Sequence, residues 1–150
     1  MPYTGWEQVR LAIASKINAS AGVTAAGLRR ATTKTEEVLS PPLVIVLEAS
    51  YTAGEQGNAQ TEQYDLTVPA ELLVPRPGGR QRSSPTAAAI ARAIQVEWQT
   101  GITIGLSPEV WHSQLLSWEP DLEEYRDTDL IGGRLIFVVR IYETITGRTV

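Results

Sequence analysis

Six carboxylates stand close together in Glu119–Asp129, and they are the residues of this chain that come nearest to a metal or acid–base site. They are Glu119, Asp121, Glu123, Glu124, Asp127 and Asp129. A calcium loop of the EF-hand kind needs carboxylates at fixed alternate positions, a central glycine and a closing glutamate. Pro120 and Leu122 interrupt the run, which contains no glycine. We therefore predict no metal site here, but an acidic loop that faces solvent or a partner.

Three arginines, Arg76, Arg80 and Arg82, lie in the segment Pro75–Ser83. They are too few for strong DNA binding, because each neutralised phosphate adds only about one unit to the salt dependence. A basic loop and an acidic loop on different faces can instead join copies head to tail, and such a contact makes a ring when it closes. The three arginines and six carboxylates are therefore candidate subunit or partner contacts, with unrelated surface charge as the alternative. Reversing the arginines to glutamate should then break up the oligomer; an unchanged mass in light scattering would contradict this.

Other residues that commonly do chemistry are scarce. The chain has no cysteine, which excludes thiolate chemistry, disulfides and cysteine-ligated zinc. His112 has no G-x-S-x-G context, so we expect it in or beside a strand. The glycine pairs at 78–79 and 132–133 match neither a P-loop nor a G-x-G-x-x-G turn, and we interpret them as turn and bulge glycines. We predict no enzymatic activity, no catalytic residue, no cofactor and no metal.

The four tryptophans, Trp6, Trp98, Trp111 and Trp118, suggest a platform on which bases would stack. Two of them fall on the apolar faces of predicted helices, which is the place of core residues. We therefore interpret the tryptophans as core.

Length and charge limit the class of protein. The 150 residues are enough for one domain, 1–150, and the net charge of −4 argues against a protein that grips nucleic acid through its phosphates. No run approaches the roughly 20 apolar residues of a membrane helix. The start of the chain lacks the pattern of a signal peptide. We expect a soluble protein made in the cytoplasm.

The strands are predicted from alternation. Apolar residues occupy every second position of Gln63–Val74, which is typical of a strand with one face in a core. Pro69 cannot donate a ladder hydrogen bond, so we place it at a bulge or an unpaired edge. Further predicted strands are Leu43–Ala49, Glu109–Trp118 and Gly132–Thr144, with a possible short edge strand at Leu28–Ala31. Tyr51–Glu62 contains two glycines and no large aliphatic residue, and we predict a long hairpin loop there.

Two helices complete the fold. Thr4-Gly5-Trp6-Glu7 fits a capping box, and an apolar stripe follows up to about Ala19, so the first helix is predicted from Thr4 to about Ser20. Ser84-Pro85 begins the second helix, which ends near Gly101. The apolar face of that helix consists of Ala87, Ile90, Ala91, Ile94 and Trp98. The predicted class is α+β, with a mostly antiparallel β-sheet of four to five strands and two α-helices packed on one face.

The order of these elements resembles the tail terminator (tail completion) proteins of long-tailed bacteriophages. The resemblance covers nearly the whole chain and is clearest in Pro41–Arg76, which contains DLTVPAELLVPR, and in Leu130–Glu143, which contains IGGRLIFVVRIYE. It implies a ring, usually of six subunits, that caps the head-proximal end of the tail tube and halts its polymerisation. It also implies a tail tube protein and a head-completion protein as partners, DNA passing through the lumen, and a place in the virion. An acidic Glu119–Asp129 would suit that lumen by repelling phosphate.

Two other functions stay open at this point. A head–tail connector or stopper also forms a ring that passes DNA, but its partner lies on the portal side. A small α+β ligand-binding or regulatory domain would instead be a monomer or dimer with an apolar pocket.

Overall fold

The computed structural model describes residues 5–33, 42–58, 61–75, 87–100, 110–122 and 130–144. In these ranges the chain forms three helices and six strands. The helices are α1 (Trp6–Ala19), α2 (Ala21–Ala25) and α3 (Ala87–Thr100). The strands are β1 (Arg30–Thr32), β2 (Leu43–Val46), β3 (Ser50–Asn58), β4 (Thr61–Pro75), β5 (Val110–Leu122) and β6 (Leu130–Thr144).

The strands form one sheet in the order β1-β2-β4-β6-β5, and β3 pairs with β4 off this path. Every pairing is antiparallel except that of β1 with β2. The α+β class and the mostly antiparallel sheet are therefore confirmed, with six strands in place of four to five. None of the helices in the described ranges has the length and apolarity needed to cross a bilayer.

The long ladder between β4 and β6 is the centre of the sheet. It runs without a register shift from Thr61 opposite Thr144 to Pro75 opposite Leu130. Alternate residues of both strands are buried on one face, as the sequence predicts. They are Tyr64, Leu66, Val68, Ala70, Leu72 and Val74 of β4 and Leu135, Phe137, Val139 and Ile141 of β6.

Helices cover this buried face and complete one core. From α1 come Val9, Ile13 and Ile17, and from α3 come Ile90, Ile94 and Trp98. The short α2 contributes Val23 to the same cluster. The prediction that the two long helices pack on one face is thereby confirmed.

The prediction of a hairpin loop at Tyr51–Glu62 is wrong. The chain there forms β3 and the start of β4, which pair antiparallel with each other. The ladder shifts register between Ala53 and Gln56 and again between Gln56 and Asn58. These irregularities break the alternation by which a strand is recognised, and the glycines and polar residues lower its apparent strand propensity.

Of the two places predicted for Pro69, the bulge is wrong, because Pro69 lies inside the unbroken β4–β6 ladder, whereas the unpaired edge comes close to what the structure shows. On the other side of β4, the pairing with β2 ends at Ala70 and the pairing with β3 begins at Thr67. The Leu47 N–H donates to the Pro69 carbonyl at 2.8 Å in this gap. In an antiparallel strand the N–H and the C=O of one residue point towards the same neighbouring strand. The N–H that Pro69 lacks would therefore point to the gap where the pairing of β4 passes from β2 to β3.

The first helix begins one residue later than predicted. Its N-cap is Gly5, at φ 152°, a conformation that favours glycine. Of the predicted capping box, Glu7 bonds to Arg10 at 2.8 Å, and Thr4 lies outside the described residues.

Two polar side chains of α1 form hydrogen bonds to the backbone at the β1 edge of the sheet. Asn18 accepts from the Ala31 N–H at 2.8 Å and donates to the Ala31 carbonyl at 2.9 Å. Arg10 donates to the carbonyls of Thr33 at 3.0 Å and Val46 at 2.9 Å. These bonds hold the three-residue β1 in place. Its pairing with β2 at the end of the sheet confirms the short edge strand predicted near Leu28–Ala31.

Candidate interaction surfaces

The acidic run begins inside a strand. Glu119 and Asp121 belong to β5, which continues to Leu122, so the prediction that the loop starts at Glu119 is wrong. Pairing with β6 keeps this part extended, with Glu119 opposite Arg134 and Leu122 opposite Gly132. A register shift between Glu119 and Leu122 interrupts the ladder, which is consistent with Pro120 having no N–H to donate.

The remaining candidate contacts lie outside the described residues. They are Arg76, Arg80, Arg82, Glu123, Glu124, Asp127 and Asp129. The described strands still show where their segments attach: Pro75 pairs with Leu130, and Leu122 lies opposite Gly132. The basic and acidic segments therefore leave neighbouring strand ends at the same end of the sheet. That they lie on different faces stays a prediction.

The sheet face away from the helices carries charges arranged across strands. Arg140 on β6 donates to Asp65 on β4 through Nε at 3.0 Å and through a terminal nitrogen at 3.4 Å. Towards the other end of the ladder, Arg134 stands in register with Glu71 on one side and Glu119 on the other. Half-buried apolar residues lie between these charges. They are Pro69, Ile136 and Val138.

An aromatic cluster lies where the start of α1 meets β3 and β4. The Trp6 and Tyr51 rings stack with centroids 5.9 Å apart and planes at 11°. Beneath them Tyr64 is 2% exposed, and its hydroxyl accepts from the Trp6 indole N–H at 3.1 Å. Trp6 and Tyr51 are 43% and 45% exposed. Together the two exposed rings form a surface that we name the aromatic edge.

A groove lies at the opposite side of the molecule, between α3 and β5. Its main cavity has a volume of about 320 Å³, and a neighbouring cavity of about 150 Å³ shares Gln95 and Leu115 with it. The main cavity is lined by Ala91, Gln95, Leu115, Leu116, Ser117 and Trp118. The register of β5 shifts between Leu115 and Ser117, and the extra residue, Leu116, is 59% exposed. With the exposed Arg92 of α3, which donates to Gln95 at 2.7 Å, these residues form the groove edge.

The tryptophans divide between core and surface. Trp98 is 3% exposed, packs on Phe137 at 4.8 Å between ring centroids, and donates to the buried Ser113 hydroxyl at 3.1 Å. Trp118 also packs on the core, so for these two the interpretation is confirmed. For Trp6 it is wrong, because the N-terminal position on α1 carries the ring beyond β2 onto β3. The Trp111 side chain lies outside the described residues.

The glycine pair of β6 is explained by Trp118 more than by a turn. A Cβ on Gly133 would clash with the Trp118 ring, so the indole packs against the bare backbone of the next strand. Gly132 lies opposite the irregular part of β5, as expected of a bulge glycine. The pair at 78–79 is outside the described residues.

Within the described ranges, no three histidine, aspartate or glutamate side chains lie close enough together to hold a metal ion. His112 lies in β5 opposite Arg140, which confirms its predicted place in a strand.

Comparison with solved structures shows a related fold. One chain of a structure described as the virion of a native gene transfer agent particle superposes with a TM-score of 0.70 and 14% sequence identity. The match covers 94% of this chain and 100% of that one. No protein-family model matches the sequence, and no curated protein matches it significantly.

Sequence reasoning missed both the aromatic edge and the groove edge. Tyr51 falls in a predicted loop, so nothing in the sequence indicated that its ring stacks on Trp6. The groove depends on a bulge, and the only trace of it in the sequence is that apolar and polar residues alternate poorly in the predicted strand Glu109–Trp118.

Proposed function

We propose that this chain is a structural virion protein that forms a ring on the head-proximal end of a phage tail tube. There it stops polymerisation of the tube and offers its other side to the head-completion protein. The observation that carries the proposal is the fold likeness to a virion chain over 94% of this chain and all of the other. The finer assignment rests on the resemblance of DLTVPAELLVPR and IGGRLIFVVRIYE to the tail terminator pattern.

The surfaces of the described residues support a role in assembly. Large apolar side chains are exposed at two edges of a well-packed sheet, where contiguous patches commonly mark protein contacts. The charged face of the sheet offers further polar contacts. In this proposal the protein works by binding copies of itself, a tube protein and a neck protein, and it has no catalytic step.

The charged segments have distinct parts in the proposed ring. Because their roots lie at the same end of the sheet, the arginines of 76–82 in one copy would contact the carboxylates of 119–129 in the next copy and so help to join the ring. The carboxylates would repel DNA if they line the lumen, since like charges separated by less than a Debye length repel. A cryo-EM map of the assembled ring with these carboxylates on the outer rim would remove that role.

Co-purification from infected or co-expressing cells tests the assignment. We expect the tail tube protein to co-purify with this chain, and ring particles to be visible by negative stain in the complex. R76E/R80E/R82E should lose the rings, while the single change Arg29→Glu, at an exposed residue before β1, should retain them. Recovery of portal-side proteins without tube protein would instead indicate a connector or stopper. A free monomer with an occupied apolar pocket would indicate a ligand-binding domain.

A further inference from the structure

We infer that Asn18 closes the β1 edge of the sheet against strand addition, because its side-chain amide takes the place of a neighbouring strand. A strand with free backbone groups at a sheet edge is a template on which a strand of another chain can pair. The inference goes beyond the proposed function. It states where the sheet of this chain ends in any assembly, whether that assembly is a ring or another form.

The strand β1 lies at one end of the sheet, and among the described strands it pairs with β2 alone. The pairing is parallel and keeps one register over all three residues of β1. The side of β1 away from β2 is therefore the outer edge of a regular ladder. Such an edge accepts a further strand unless its backbone groups already have partners.

The Asn18 amide supplies those partners at the middle residue of β1. It accepts from the Ala31 N–H at 2.8 Å and donates to the Ala31 carbonyl at 2.9 Å. Two residues of an antiparallel pair exchange one N–H and one carbonyl bond each way in the same manner. Because a side-chain amide offers the same donor and acceptor as a peptide group, one asparagine reproduces this exchange. The single hydrogen of the Ala31 N–H is then unavailable to an incoming strand.

Arg10 continues this closure past the end of β1. One of its terminal nitrogens donates to the carbonyls of Thr33 at 3.0 Å and Val46 at 2.9 Å. Arg10 and Asn18 lie about two turns apart on α1, so both reach the strand from the same side of the helix. Ala31 is 3% exposed although it lies on an edge strand. The helix therefore runs along β1 and covers the edge that Asn18 closes.

The other edge strands are irregular where β1 is regular. The β5 ladder shifts register at three places, the last of them around Pro120, and the β3 ladder shifts at two. Bulges and prolines twist an edge strand away from a flat partner and so oppose pairing. No shift interrupts the described β1 ladder, and its closure depends on side chains of α1. Asn18 is itself exposed, so its amide stands between the strand and the solvent.

Asn18→Ala tests the inference in the full chain. Because Asn18 is exposed, the change opens no cavity in the core. In dilute protein, protection of the Ala31 amide from hydrogen exchange should fall about tenfold, as expected for the loss of one hydrogen bond. At rising concentration, light scattering should show species larger than those of the wild-type chain. In these species the Ala31 amide should regain its protection, since it then bonds to a strand of another copy.

Two further variants separate strand addition from general destabilisation. Gln95→Ala is the matched control, because it removes an exposed amide of α3 that accepts from Arg92 at 2.7 Å and touches no strand edge. It should leave the size of the wild-type species unchanged. Ala31→Pro, added to N18A, removes the N–H at the opened edge and should abolish the additional association.

Three results would overturn the inference. The first is an N18A chain that keeps the wild-type size at every concentration. The second is additional association in which the Ala31 amide still exchanges as fast as in dilute N18A. The third is equal association of N18A with and without Ala31→Pro, which would assign the effect to a loosened fold.

Discussion

The two faces of the β4–β6 ladder share one backbone but differ in every other respect. On the helix-covered face, Phe137 and its neighbours at alternate positions are 0% exposed and form part of a single apolar cluster. On the other face, the half-buried Val138 lies among ion pairs such as Asp65–Arg140. The helix-covered face forms the core and so accounts for the fold, whereas the side chains of the other face are available for contacts with partners. This difference shows why the fold of such a chain is easier to predict than its contacts.

The largest expected effect compares adjacent residues on opposite faces. Phe137→Ala removes a ring from the centre of the core and should lower the free energy of unfolding by about 3–5 kcal/mol. Val138→Ala, its matched control, removes half-buried methyl groups and should lower it by about 1 kcal/mol or less. Urea denaturation followed by tryptophan fluorescence measures both. Equal losses would mean that the second face is also packed against something in the free chain.

A smaller effect tests how Trp118 of β5 packs at its side of the helix-covered face. Gly133→Ala places a methyl group where the Trp118 ring lies and should cost about 1–3 kcal/mol through overpacking. Gly22→Ala is the control, because its nearest atom is the Ser20 hydroxyl oxygen at 3.9 Å and its place in α2 favours alanine. The control should therefore be neutral or slightly stabilising. If Trp118→Ala abolishes the cost of Gly133→Ala, the clash is its cause; additive losses would assign the cost elsewhere.

The smallest effect concerns the open face. A double-mutant cycle between Asp65→Asn and Arg140→Gln should give a coupling free energy of about 0.2–1 kcal/mol, because both side chains are about one-third exposed. Raising the salt concentration should weaken it further. A coupling above about 2 kcal/mol that persists in high salt would show that this face is far less accessible to solvent than the geometry indicates.

Much of the fold could be predicted from sequence because burial imposes a period. The alternation of Leu66 with Thr67 indicates β4 and its inward face, whereas the run around Phe137 is apolar on both faces and so indicates a strand without showing which face is inward. The same reasoning failed at β3, where Ala53, Gly54 and Gly57 carry no apolar signal and the strand is held by the neighbouring ladder.

The candidate site was less predictable, for a related physical reason. A charge run such as Glu119–Asp129 shows which residues are hydrophilic but not where the strand before it ends, and β5 extends further into the run than its composition suggests. Trp6 follows the helical period of the core, yet it stands at the helix end, where no period indicates what lies beneath it. Its exposure depends on how it packs against Tyr51 of β3, a strand that the sequence did not predict.

The central claim is that this protein caps a tail tube, and tube length tests it most directly. Purified tube protein is allowed to polymerise with increasing amounts of this chain, and tube lengths and ends are scored by electron microscopy. The account predicts shorter tubes as the ratio rises, each with a ring of this protein at one end only. Tubes of unchanged length with bare ends at every ratio would contradict it.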